Sequence, residues 1–185
     1  TPVGMIPGMI ETIAPHLKEG AIVTDVGSTK EKIVSRAEEV LPAGVHFIGG
    51  HPMAGSEKRG LMAADPFLFE NCFYVVTPTM HVPEALLDEY VALLEGIGAK
   101  VLFLDAETHD KIAATVSHLP QMLSICLVNF VEQYNRQNPQ FLKLAAGGFR
   151  DMTRIASSPF YMWQDICQTN RYNIVPVIDA FIDTL

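Results

Sequence analysis

The chain has only three cysteines among 185 residues, and Cys72, Cys126 and Cys167 stand far apart. An odd, scattered set fits neither a disulfide scaffold nor a metal-ligand spacing, so a reducing, cytoplasmic setting is expected. Basic residues are also scarce: 13 Lys and Arg face 21 Asp and Glu, for a net charge of -8. No basic run exceeds Lys58-Arg59, which excludes a nucleic-acid surface. No uninterrupted apolar stretch reaches the ~20 residues of a membrane span, so no membrane partner is expected. The chain carries no His-x-x-x-His spacing, so no metal site is expected. It opens on Thr1-Pro2-Val3-Gly4 without an initiator Met and stops inside an apolar-periodic segment at Leu185. It reads as a piece of a longer protein.

What is present is a hydrophobic fraction of 49%, enough for one good core or two modest ones. Over residues 5–18, Met9, Ile10, Ile13 and Leu17 recur at helical spacing. Residues 21–26 are a β-branched run that predicts a buried strand. The spacing of Ile33, Val34, Ala37 and Val40 predicts a helix over 29–40. Further strands are predicted at 45–48, 72–76 and 101–104, with a helix over 83–97 between the last two. Alternating strands and helices imply an α/β layer with a mostly parallel sheet. After Ala106 strand signals vanish. One apolar helix of about thirty residues should run towards Arg136, bent at Pro120. Shorter helices follow near 138–146, 149–156, 159–170 and 172–184. The fold class is therefore α/β then all-α, with a boundary near Asp105: 1–105 an α/β unit and 106–185 a helical unit.

The most informative stretch is Gly49-Gly50-His51-Pro52-Met53-Ala54-Gly55-Ser56-Glu57. It places a histidine just past a short strand, among residues too small to cover it, where α/β proteins hold their ligands. Imidazole is suited to moving protons near neutral pH. Ser28, three residues before Glu31, fits a capping box and also faces the same crevice. Ser117 and Gln121, four apart on the long helix, are either ligand contacts or, the plainer reading, buried and satisfied polar groups, with His118 pointing elsewhere. Arg150 and Arg154, beside Gly147-Gly148, suggest an anion site, because the guanidinium fork matches a carboxylate. A surface salt bridge to Asp151 or Asp110 is the plainer alternative. Glu57 is either a solvated carboxylate or a partner for a cation in the site. Trp163 is either core or the wall of a small-molecule pocket. Ser158-Pro159 reads only as a helix start.

Four motifs occur in order: Asp25-x-Gly27-Ser28-x-Lys30, His51-Pro52-Met53-Ala54-Gly55-Ser56-Glu57, Ser117-His118-Leu119-Pro120, and Gly148-Phe149-Arg150-Asp151-x-Thr153-Arg154-Ile155-Ala156. Together they closely resemble the prephenate and arogenate dehydrogenases of tyrosine biosynthesis, over essentially the whole chain. The resemblance implies the second half of a Rossmann-type nucleotide domain followed by a truncated helical domain that makes a homodimer. The family's Gly-x-Gly-x-x-Gly turn is absent from these 185 residues, and Thr1-Pro2-Val3 resembles the loop beside the nicotinamide.

The implied reaction is oxidative decarboxylation of a cyclohexadienol with hydride transfer to NAD⁺ or NADP⁺, without a metal. By resemblance, His51 is the base, Ser28 holds the hydroxyl and His51 in register, and Arg154 binds a substrate carboxylate with Glu57 as its ionic partner. Ser117, Gly147 and Trp163 line the pocket, and Gln121 contacts the substrate. Thr1, Pro2, Val3 and Ser28 touch the cofactor. Gln121 stands where many prephenate-using members carry a second histidine. A glutamine can donate a hydrogen bond but cannot become cationic. Prephenate stays ahead of arogenate as the expected substrate. The piece alone is expected to be inactive, and a catalytically incomplete dimerising fragment is the other reading.

Overall fold

A computed structural model describes residues 1–55 and 64–185. Strands β1 (Ile22–Thr24), β2 (His46–Pro52), β3 (Phe73–Pro78) and β4 (Lys100–Phe103) form one sheet in sequential order. The β1–β2 and β3–β4 pairings are parallel, as a mostly parallel sheet requires, and the one antiparallel pairing, β2–β3, makes the sheet mixed. Helices α1 (Ile6–Ile13), α2 (Glu31–Val40) and α3 (Glu84–Gly96) accompany it. Successive β2 residues point to opposite faces. Phe47 joins Val3, Ile6, Ile10, Val23, Ile33 and Ala37 on one side, while Ile48 joins Tyr74, Val76, Tyr90 and Leu94 on the other. Two half-cores thus sandwich the sheet.

Strand β2 is longer than the apolar run predicts. It continues through Gly49 and Gly50 to Pro52, so His51 lies inside the strand, opposite Val75 of β3. Glycines are poor strand formers alone, and pairing with β3 is what carries the strand across them. Gly50 also has a steric reason to be glycine: a Cβ there would lie 2.7 Å from the carbonyl oxygen of Asp25 and 2.8 Å from the Tyr74 ring.

The helical part begins with α4 (Ala106–Ala113), passes through a π turn (Ala114–His118) and continues as α5 (Leu119–Asn135). Asp105 caps α4 by accepting the Thr108 N–H at 2.8 Å. Pro120 has no N–H to offer the carbonyl four residues back, and the turn before it widens, with the Leu119 N–H donating to Ala114 O. Joined, residues 106–135 form one helix long and apolar enough, by length and composition, to cross a bilayer. The sequence expectation missed this because charged side chains interrupt the run. Those interruptions matter: His109, Asp110, His118, Gln121 and Ser124 on this helix are all buried in the protein.

Short helices α6 (Gln140–Lys143) and α7 (Gly147–Thr153), a 3₁₀ turn (Arg154–Ser157), α8 (Phe160–Thr169) and α9 (Arg171–Ile182) complete the chain. Helix α8 returns to the sheet layer. Its Ile166 is buried in the Val3–Ile6–Phe47 core, and Asp165 accepts the Gly4 N–H at 3.0 Å. The helical part is therefore packed directly against the end of the sheet that carries His51.

Candidate active site

The loop between β1 and α2 is fixed by a buried ion pair. Lys30, fully buried, pairs with Asp25 and donates to the Gly50 carbonyl at 2.7 Å. Asp25 in turn accepts the N–H of Gly27 at 2.7 Å and that of Gly50 at 3.2 Å. Burial pulls the Lys30 ammonium below its usual range, and the Asp25 and Asp110 carboxylates oppose that pull. The pair ties the Ser28 loop to β2 one residue before His51.

The capping box expected of Ser28 and Glu31 does not form, because no side chain within the loop caps α2. Asp110 of α4 does so from across the chain, accepting the Lys30 N–H at 2.7 Å and the Glu31 N–H at 3.0 Å. A carboxylate at a helix N-terminus satisfies orphan donors and complements the dipole. Asp110 is therefore buried and occupied, and is not a surface partner for Arg150 or Arg154.

The same carboxylate lies 2.7 Å from His109 Nδ1, and His109 Nε2 lies 2.8 Å from His51 Nδ1. An Asp–His–His chain thus ends on the sheet, and among the described residues nothing occupies Nε2 of His51, which is left for a ligand. Burial, then His109, Lys30 and His118, push the His51 pKa down to about 3. The ring is neutral at physiological pH and able to accept a proton.

Ser28, His51, Ser117, His118, Ser158 and Trp163 line one cavity of about 370 Å³, a size suited to a small metabolite. Four of the sequence-predicted site residues, Ser28, His51, Ser117 and Trp163, are brought together there. His118 corrects an expectation: it does not point elsewhere but shares the cavity wall with Ser117. The wider π turn, with one residue more per turn than an α-helix, presents both. His118 meets Trp163 edge-on, with ring centroids 5.8 Å apart, and its Nδ1 lies 3.2 Å from Asn170 Nδ2. Burial, partly opposed by Asp110 and reinforced by His109, pushes its pKa down to about 4. Ser158, expected only to start a helix, also lines the cavity.

Other expectations fall elsewhere. Gln121 is buried away from the cavity wall, and neither amide atom meets a hydrogen-bond partner among the described residues. Although four residues from Ser117, it does not share the cavity wall with it. Gly147 opens α7 and is exposed, and Arg154 is exposed at the start of the 3₁₀ turn, four residues before Ser158. Neither lines this cavity within one chain. Thr1 borders a separate groove with Ile6, Asp25 and Val26, while Val3 is buried in the core. Glu57 lies outside the described residues. Sequence reasoning missed His109 and Asp110, which stand among Glu107, Thr108 and Lys111 in a polar first stretch of the helix where no local pattern sets them apart.

Comparison with known proteins agrees with this architecture. The family profile "Prephenate dehydrogenase, nucleotide-binding domain" matches residues 1–103, and "Prephenate dehydrogenase, dimerization domain" matches residues 105–185. The prephenate dehydrogenase of Bacillus subtilis is 41% identical over 98% of this chain and 49% of its own length. That of Lactococcus lactis is 44% identical over 91% of this chain and 46% of its own. The chain thus spans about half the length of these curated relatives. The crystal structure of Aquifex aeolicus prephenate dehydrogenase, in complex with hydroxyphenyl propionate and NAD⁺, superposes with a TM-score of 0.89 at 34% identity, covering 100% of this chain and 64% of that one. Synechocystis arogenate dehydrogenase gives 0.83 at 32% identity, covering 100% and 66%. Two family profiles that together account for nearly every residue place this chain in the prephenate dehydrogenase family.

Proposed function

We propose that the full-length protein carries out the oxidative decarboxylation of prephenate to 4-hydroxyphenylpyruvate, with hydride transfer to NAD⁺. The observation that carries the reading is the single cavity in which Ser28, His51, Ser117 and Trp163, distant in sequence, meet. The neutral His51 accepts the proton of the ring hydroxyl at Nε2, help worth ~10²–10⁴-fold in rate. Ser28 orients that hydroxyl. Trp163, whose buried Nε1–H finds no partner among the described residues, walls the ring and can donate to it. Arg154 and Glu57 complete the carboxylate site as an ionic pair, and Gly147 borders it.

The groove of about 240 Å³ bounded by Thr1, Ile6, Asp25 and Val26 opens at the end of β1, with Val26 exposed. An apolar shelf at that edge of an α/β sheet fits the nicotinamide end of a dinucleotide. A nicotinamide bound there would supply the hydride acceptor for the carbinol carbon. Thr1, with Pro2 beside it, would border it from the groove and Ser28 from the neighbouring cavity, while Val3 packs in the core behind them; NADP⁺ is the second candidate.

In this reading residues 1–105 are the second half of the nucleotide domain and 106–185 a helical unit that forms a homodimer. Exposed Phe130, Phe141, Leu144, Met152 and Phe160 support a covered apolar face there. The protein works in the cytoplasm, and its free thiols suit that compartment.

Relatives named prephenate dehydrogenase at 41% and 44% identity put prephenate first. Arogenate is the second substrate, because an arogenate dehydrogenase shares the fold at 32% identity. Steady-state kinetics of the full-length enzyme with each substrate and each nicotinamide tests this. Higher kcat/KM for prephenate with NAD⁺ is expected, and turnover of arogenate alone would reverse the assignment. His51→Asn should lower kcat by ~10²-fold or more with little change in KM.

A further inference from the structure

We propose that His109 and Asp110 form a proton relay behind His51, two positioning residues that choose its accepting nitrogen and hold the proton it takes until that proton is returned. The inference rests on the reading of His51 as the base of the reaction.

The hydrogen-bond directions follow from Asp110. Its carboxylate only accepts, and Oδ1 already takes the Lys30 N–H while Oδ2 takes the Glu31 N–H. Fixed by two backbone donors, Oδ1 receives Nδ1–H from His109 at 2.7 Å. In the relay His109 carries its hydrogen on Nδ1, so its Nε2, 2.8 Å from His51 Nδ1, is the acceptor of Nδ1–H from His51. A neutral His51 with hydrogen on Nδ1 has its lone pair on Nε2, so the relay selects the tautomer able to act as base. His109 and Asp110 are almost fully buried, and water does not compete for these contacts.

The atom count of the reaction gives the relay a second task. The alcohol O–H proton moves to His51 Nε2 as the carbon–hydrogen pair leaves as hydride to the nicotinamide ring, forming C=O. The ring–carboxylate bond then breaks, CO₂ departs, and its electron pair makes the ring aromatic with a phenolate oxygen. The substrate is oxidised by two electrons and the nicotinamide reduced by two. The product is a phenol, so the proton goes back to the oxygen it came from and must be stored in between.

His51 is a poor store by itself. Lys30, paired with Asp25, faces it from the β1–α2 loop, His118 from the π turn, and His109, bonded to Asp110, from α4. Burial, His109, Lys30 and His118 all disfavour a charge on it. Passing Nδ1–H to His109 Nε2 moves the positive charge one ring away, beside the Asp110 carboxylate, and returning it restores the donor.

Full-length His109→Leu, His109→Gln and Asp110→Asn test the relay, with His51→Asn as control. His109→Leu should lose ~10²-fold in kcat with KM nearly unchanged. His109→Gln, whose amide oxygen can still accept from His51 Nδ1–H, should recover part of that loss. Asp110→Asn should move the acid limb of the kcat profile to lower pH by ~1 unit, a change that loss of the α2 cap alone would not cause. Nitrogen-15 histidine NMR should place the hydrogen of His51 on Nδ1 in the unsubstituted enzyme. Hydrogen on Nε2, or unchanged kcat and pH profile in His109→Leu while His51→Asn is inactive, would overturn the relay and leave the base assignment standing. Full turnover in His51→Asn would overturn both.

Discussion

The Lys30 ammonium donates to the Gly50 carbonyl at 2.7 Å, and so a fully buried cation holds the strand residue directly before His51. The Asp25 carboxylate is its counter-ion and also binds the Gly50 N–H. Lysine at position 30 thereby links the loop of one motif to the strand of the next. Removing one partner of a buried pair leaves the other uncompensated, which costs ~3–5 kcal/mol. Lys30→Met should lower stability by that order, read as a drop in urea midpoint at constant slope. Turnover should fall as well, because His51 loses its anchored neighbour.

Gly50 offers a separate test of the same junction. Its Cβ position is closed by backbone on one side, the Asp25 carbonyl at 2.7 Å, and by the Tyr74 ring on the other. The Tyr74 phenol is pushed up by burial and its bond to Tyr90, so it stays neutral and in place. Gly50→Ala should therefore cost ~1–3 kcal/mol through overpacking. Thermal unfolding measures that loss. Because the displaced backbone adjoins His51, kcat should fall more than KM rises.

These two positions also show what was legible in the sequence. The β-branched run at 21–26 and the helical spacing of Ile33, Val34, Ala37 and Val40 announced β1 and α2, since local pattern decides where one face is buried. The motifs announced Ser28, His51 and Ser117, and the family resemblance added Trp163. Three features were not legible, each because a distant contact overrides a local signal. Strand β2 crosses two glycines only by pairing with β3. Helix α2 takes its cap from Asp110, 79 residues beyond Glu31, and not from Ser28. Ser117 and His118 end a π turn and line the cavity together while Gln121, one turn on, does not, a departure that regular α-helical spacing cannot anticipate.

Gln121 turns that last point into a measurement. Both of its amide atoms are buried without partners among the described residues. A buried amide left unpaired costs ~1–3 kcal/mol, and an apolar side chain of similar shape removes that cost. Gln121→Met should leave the protein as stable as before or more so. With position 121 off the cavity wall, KM for prephenate should stay within ~2-fold. A large KM increase would return Gln121 to the substrate site.

Stability should also depend on pH in a window set by two histidines. His51 and His118 have pKa values of about 3 and about 4 in the folded chain, against an ordinary 6.5. Between 6.5 and 4 the unfolded chain binds protons at both positions that the folded chain refuses, so stability rises with pH across that range. It is fully present above 6.5 and declines as pH falls. The share due to His118 stops declining near 4 and that due to His51 near 3. Urea midpoints at pH 7.5 and 5.0 should differ in that sense. His118→Gln cannot be protonated and should reduce the difference between the two midpoints, even if its absolute stability is lower. An unchanged difference would mean that position 118 takes up its proton as readily folded as unfolded, against the burial and the His109 contact that oppose a charge there.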